Sequence, residues 1–140
     1  MSPGIYVLCI DDDPHYRELT ATVLERRDDD LVVTTAETGR EGLAIVDGEP
    51  DPDPDRGIDC VVSDYDMPGM DGLELFGAIR SRDLDVPFIL FTGAGSAEIA
   101  DEAISAGVTD YVRKGMGTDQ YAELAARIET AVESDREDKR

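Results

Sequence analysis

Positive charge is scarce in this chain. Its 13 lysines and arginines face 33 aspartates and glutamates, a net charge of −20 over 140 residues, and only two of the cations are lysines, Lys114 and Lys139. Affinity for nucleic acid rests on clustered Lys and Arg against phosphates, so no direct nucleic-acid contact is expected. Cysteine is scarce too. Cys9 and Cys60 each sit inside an apolar run, Val7-Leu8-Cys9-Ile10 and Cys60-Val61-Val62, and read as buried thiols of a reducing compartment, not as a disulfide framework. The sequence shows no run of about 18 apolar residues and no leader pattern, so the expectation is a cytoplasmic protein with no membrane partner. The sole histidine, His15, reads as a solvated residue in a first helical turn, not as a catalyst.

What is present is a regular apolar pattern. Hydrophobic residues make up 41% of the chain, enough for the core of one ordinary domain. The periodicity argues against a disordered acidic segment. Self-repulsion at −20 destabilises a compact state unless salt screens it, so adaptation to a molar-salt cytoplasm is expected.

Short apolar runs at 5–10, 31–35, 58–63, 86–91 and 110–113 read as strands, and the continuous runs are those of strands covered on both faces. Helical spacing follows each of them. Asp13-Pro14 supplies an N-cap and a first-turn proline for a helix to Arg27, along which Tyr16, Leu19, Thr20, Val23 and Leu24 follow at helical spacing. Thr38-Gly-Arg-Glu41 and Asp71-Gly-Leu-Glu74 are capping boxes for the next two helices. A small-residue helix over 96–106 places Ile99, Ala103 and Ile104 inward, and a last helix from about 119 carries Tyr121, Leu124, Ala125, Ile128 and Val132. The end of the chain, SDREDKR, is charged and expected to fray.

Between the second helix and the third strand, DGEPDPDPDRG alternates prolines with acids and reads as a solvated loop. It imitates the start of a calcium loop, but Gly57 falls one place late and the twelfth position is Val62 instead of Glu, so no calcium site is expected.

Five strands alternating with five helices give a parallel sheet with helices on both faces, in which ligands bind beyond the carboxyl ends of the strands. Strand one ends in Asp11-Asp12-Asp13, strand three in Asp64, strand four in Thr92, and strand five just before Lys114. Three neighbouring carboxylates repel one another, and a divalent cation of the Mg²⁺ type removes that cost. A lysine and a threonine beside them suit the equatorial oxygens of a transferring phosphoryl group. Asp13 reads as a helix cap only, and Met67 and Met70 as packing residues.

The segments VLCIDDDP, VVSDYDMPGMDGLEL, PFILFTGAG and DYVRKG, in that order and over nearly the whole chain, resemble the receiver domain of two-component response regulators. The resemblance implies a flavodoxin-like α/β fold with strand order 2-1-3-4-5, a single receiver over 1–135 and a charged tail over 136–140. It implies that Asp64 is the phosphoacceptor, taking a phosphoryl group from a sensor histidine kinase or phosphotransfer protein. Mg²⁺ would be bound by Asp12 and Asp64, by Asp11 largely through water, and by the backbone carbonyl of Asp66. Lys114 and Thr92 would bind the phosphoryl group, and Tyr111 would be the aromatic switch. The output would be a surface made by the fourth helix, fifth strand and fifth helix, open to a downstream protein or to a second copy. With the acidic surplus, the expectation is a receiver from a halophilic archaeon.

The chain departs from the family pattern at Lys114-Gly115, where the family usually has Lys-Pro, and in the run Gly93-Ala94-Gly95, which suggests a mobile loop. Asp66 and Ala94 occupy two positions that tune phosphoryl lifetime in the family. Two rivals remain. Asp64-Tyr65-Asp66 is also the D-x-D of haloacid-dehalogenase-like phosphatases, although their order of acidic clusters is reversed here. A pseudo-receiver would bind partners without phosphorylation.

Overall fold

In the computed structural model, residues 4–48, 57–93, 97–115 and 119–138 are described. The loop expected between the second helix and third strand lies largely outside these residues, as do Ala94, Gly95 and the last two residues. Among the described residues ten elements alternate in chain order: β1 (Ile5–Ile10), α1 (Pro14–Arg27), β2 (Leu31–Ala36), α2 (Gly39–Val46), β3 (Cys60–Ser63), α3 (Gly72–Ser81), β4 (Phe88–Thr92), α4 (Ala97–Ala106), β5 (Asp110–Arg113) and α5 (Asp119–Asp138). The strands form one sheet of order β2-β1-β3-β4-β5, and every adjacent pair is parallel. This is the flavodoxin-like order expected.

Side-chain alternation along the strands divides the core in two. Val7 and Cys9 of β1, Val62 of β3 and Ile89 and Phe91 of β4 join Leu24 of α1 and Leu124, Ile128 and Val132 of α5. Leu8 and Ile10, Val61, Phe88 and Leu90 point the other way, to Leu75, Phe76 and Ile79 of α3 and Ala103 of α4. Because both faces are covered, β3 and β4 are buried at every position, which is why they read as continuous apolar runs. Both cysteines are free and buried among these side chains, and burial, with Asp11 and Glu25 adding to it, pushes the Cys9 thiol up to about 12.

The helix starts follow their sequence signals. The Asp13 carboxylate accepts from the backbone N–H groups of His15 and Tyr16, and Thr38 accepts from Glu41. Asp71 and Glu74 form the reciprocal capping box, each side chain accepting from the other's N–H.

Two expectations are corrected. Ile104 is 58% exposed, while Ala103 beside it is fully buried. Adjacent helical residues project about 100° apart, so only one of the pair can meet the sheet, and the smaller one does. The charged end is not frayed as far as Asp138: α5 continues to that residue. Arg136 fastens it, donating to the Gly4 carbonyl at 3.2 Å and pairing with Asp59 at 3.4 Å. Among the described residues, no helix is long and apolar enough to cross a membrane.

Candidate functional site

Three backbone hydrogen bonds carry the sheet ladders one residue past the strands and so fix the residues that matter. The Asp11 N–H donates to the Ala36 carbonyl at 3.2 Å, the Asp64 N–H to the Ile10 carbonyl at 3.0 Å and the Lys114 N–H to the Thr92 carbonyl at 3.0 Å. Each side chain therefore leaves a rigid edge with its Cα already placed. Together with Asp12, Asp66, Thr92 and Tyr16 they line an open cleft of about 420 Å³. Thr92, the last residue of β4, is fully buried at its floor, while Asp66 stands exposed at the rim.

One carboxylate oxygen each from Asp11, Asp12 and Asp64 lies within 4.8 Å of the others. Lys114 is the counter-charge. Its Nζ is 2.7 Å from Asp11 Oδ2 and 3.5 Å from Asp64 Oδ2, and the lysine side chain is only 8% exposed. Burial alone would lower the lysine pKa, but the hydrogen bonds and charges of Asp11 and Asp64 outweigh it and hold the ammonium above its usual value.

The three acids are not equivalent. Asp11 is spent on the protein, since its Oδ1 accepts from the Asp13 N–H at 3.0 Å and its Oδ2 from Lys114. Asp64 Oδ1 accepts from the Tyr65 N–H at 2.8 Å, which turns Oδ2 toward the lysine. Asp12 carries the unscreened charge. Burial first, and then the carboxylates of Asp11, Asp64 and Asp66, push it above the usual carboxylate range against the opposing pull of its own backbone N–H. A cluster of hard oxygen donors with excess negative charge fits a small divalent cation, so the residues present suit Mg²⁺.

Tyr111 lies in β5, half-buried, with its ring against the layer that contains Leu90 and Ala103. Its hydroxyl is buried and has no hydrogen-bond partner among the described residues. His15 is exposed, Met67 is buried, and Met70 packs over Gly39, in keeping with the modest parts expected of them. At Gly115 the structure explains the missing proline: the Gly115 N–H donates to Gln120 Oε1 at 2.7 Å, a bond that proline cannot make.

Three contributors were not assigned to the site from sequence. Tyr16 covers Lys114, with its ring centroid 4.4 Å from Nζ. Arg17 reaches back from α1 to donate to the Asp11 carbonyl at 3.1 Å. Gly72 opens α3 against the Asp64–Tyr65 backbone and donates to the Tyr65 carbonyl at 2.8 Å. The D-G pair before the third helix was the signal for Gly72. The others had none.

Comparison with known proteins agrees with this fold. The chain is 36% identical over 129 residues to the C4-dicarboxylate transport transcriptional regulatory protein DctD of Rhizobium meliloti, covering 92% of this chain and 26% of that protein. It is 40% identical over 115 residues to a protein-glutamate methylesterase/protein-glutamine glutaminase of Nocardioides, covering 80% of this chain and 29% of that one. It thus spans about a quarter of the length of these relatives. Among solved structures, a response regulator receiver domain protein from Clostridium thermocellum superposes with a TM-score of 0.80 at 26% identity, over 94% of this chain and 97% of that one. A CheY-like receiver domain protein from Methanospirillum hungatei gives 0.78 at 25% identity, over 96% and 98%. Residues 7–128 match the response regulator receiver domain family, and the chain belongs to it.

Proposed function

We propose that this receiver domain accepts a phosphoryl group on Asp64 from a phosphohistidine of a sensor histidine kinase or phosphotransfer protein. The observation that carries this reading is the trio of Asp11, Asp12 and Asp64 carboxylates within 4.8 Å, with the Lys114 ammonium seated against two of them. Asp64 Oδ2 attacks phosphorus, the P–N bond to the donor imidazole breaks, and the imidazole leaves with its electron pair to be protonated. The product is an acyl phosphate. Mg²⁺ would be held by Asp12 and Asp64, by Asp11 largely through water and by the Asp66 backbone carbonyl, and would supply positive charge to the phosphoryl oxygens. Lys114 gives a second positive charge, and the Thr92 hydroxyl gives a hydrogen bond once it turns toward the group.

The new charge then biases the surface made by α4, β5 and α5 toward a downstream protein or a second copy of the chain. Tyr111 is the switch. A buried hydroxyl without a partner costs about 1–3 kcal/mol, which lowers the barrier to an alternative ring position. The setting proposed is a salt-rich cytoplasm of the halophilic archaeal kind, which the charge of −20 suits.

Intact mass after incubation with a small phosphodonor and Mg²⁺ in molar KCl tests the reading. One phosphoryl group on the wild type and none on Asp64→Asn is expected. No adduct and no donor consumption would point to a pseudo-receiver. Donor hydrolysis that survives Asp64→Asn would sink Asp64 as the nucleophile.

A further inference from the structure

Tyr16 belongs to neither hydrophobic layer of the core, although the spacing of α1 puts it in line with Thr20, Val23 and Leu24. It sits in the first turn of α1, held by the Asp13 cap, and lines the cleft. Its ring face lies over the Lys114 ammonium at 4.4 Å, and the Phe91 centroid is 5.6 Å away. Phe91 is backed in turn by Tyr121, ring to ring at 5.8 Å and 62°. An ammonium has three N–H donors. Asp11 and Asp64 face the lysine head at 2.7 and 3.5 Å, and the Tyr16 ring occupies a further approach to it.

We propose that Tyr16 is a positioning residue for phosphoryl transfer: its ring face holds the Lys114 ammonium within reach of the group arriving on Asp64. The inference rests on the phosphoacceptor reading above. A lysine stem is flexible and its head is strongly hydrated, so an ammonium open to water gains water partners that must be shed before it can meet a phosphoryl oxygen. The ring takes the place of those waters and attracts the cation through its quadrupole, more strongly where water is excluded. The lysine then has only to exchange a carboxylate oxygen for a phosphoryl oxygen, a small movement beneath a fixed lid. The ring face does this work and the hydroxyl does not, so phenylalanine should serve in its place.

The test uses Tyr16→Leu and Tyr16→Phe with phosphoramidate and Mg²⁺ in molar KCl, alongside nitrogen-15 NMR of the lysine ammonium groups. With only Lys114 and Lys139 in the chain, the ammonium spectrum holds at most two signals to assign. The expectation for Tyr16→Leu is phosphorylation of Asp64 slowed roughly three- to tenfold, with loss of the ring-current shift at Lys114. Tyr16→Phe should keep both the shift and a rate within about twofold of wild type. A Tyr16→Leu protein as fast as wild type overturns the proposal. A Tyr16→Phe protein as slow as Tyr16→Leu also overturns it, by moving the role to the hydroxyl. If wild type takes up no phosphoryl group, the phosphoacceptor reading fails, and the positioning role fails with it. The Lys114 shift still reports the ring contact in that case, so the two failures are told apart.

Discussion

A Cβ placed on Gly72 would come within 2.5 Å of the Asp64 carbonyl oxygen and 2.7 Å of Leu90 Cδ2. The first of these atoms is backbone and cannot swing away, so the glycine sets how closely α3 docks beneath the cleft. Gly72→Ala should therefore push the Asp64 turn and α3 apart. The expected outcome is a loss of about 1–3 kcal/mol in urea unfolding, together with slower phosphorylation of Asp64. An unchanged unfolding midpoint would show that the helix can retreat at no cost.

Lys114→Met removes the counter-charge from Asp11, which is only 6% exposed. Breaking such a pair leaves a poorly hydrated carboxylate, and a loss of about 3 kcal/mol is expected near neutral pH without divalent cations. Urea titrations of the two proteins at neutral pH check it.

Tyr111→Phe deletes a buried hydroxyl that has no partner among the described residues. Resting-state stability should rise by about 1 kcal/mol. If the urea midpoint falls instead, the hydroxyl is bonded in solution.

Glu129, on α5, shares a hydrogen bond with Asp28 at the end of α1. That bond first, then partial burial and the charges of Asp28, Glu133 and Asp30, push Glu129 from an ordinary 4.5 up to about 7. The same bond, and one from the Asp30 N–H, hold Asp28 below its usual range. A raised acid binds its proton more tightly in the folded state. Its stabilising contribution is complete below about pH 4.5 and is lost as pH climbs through about 7. Asp28 works in the opposite direction, contributing above its ordinary 3.8 and losing that contribution as pH falls. Glu129→Gln should flatten the thermal midpoint between about pH 5 and 8 and leave the variant more stable than wild type at the alkaline end. Parallel curves for the two proteins would refute the shared proton.

The strand ends were legible in the sequence for a physical reason. A strand buried on both faces is an apolar run, and the run stops where the backbone reaches the cleft, so Asp11, Asp64, Thr92 and Lys114 announced themselves as polar residues on apolar stems. Helix faces carry less information. Tyr16 and Leu24 share a helical stripe, yet one meets a lysine at the rim and the other the core, because the first turn of α1 overhangs the sheet. Ala103 and Ile104 present the same ambiguity, which side-chain size does not settle from sequence. The end of α5 was illegible because what holds it there, Arg136 on Gly4 and Asp59, is a contact between residues far apart in the chain.

The bond from the Gly115 N–H to Gln120 has a mechanical consequence. It ties the peptide after Lys114 to the first turn of α5, as a short link joins a crank to its shaft. Were Lys114 to shift toward a phosphoryl group as proposed, Gly115 would either stretch that link or carry the start of the helix with it. A proline at 115 would leave the shaft uncoupled.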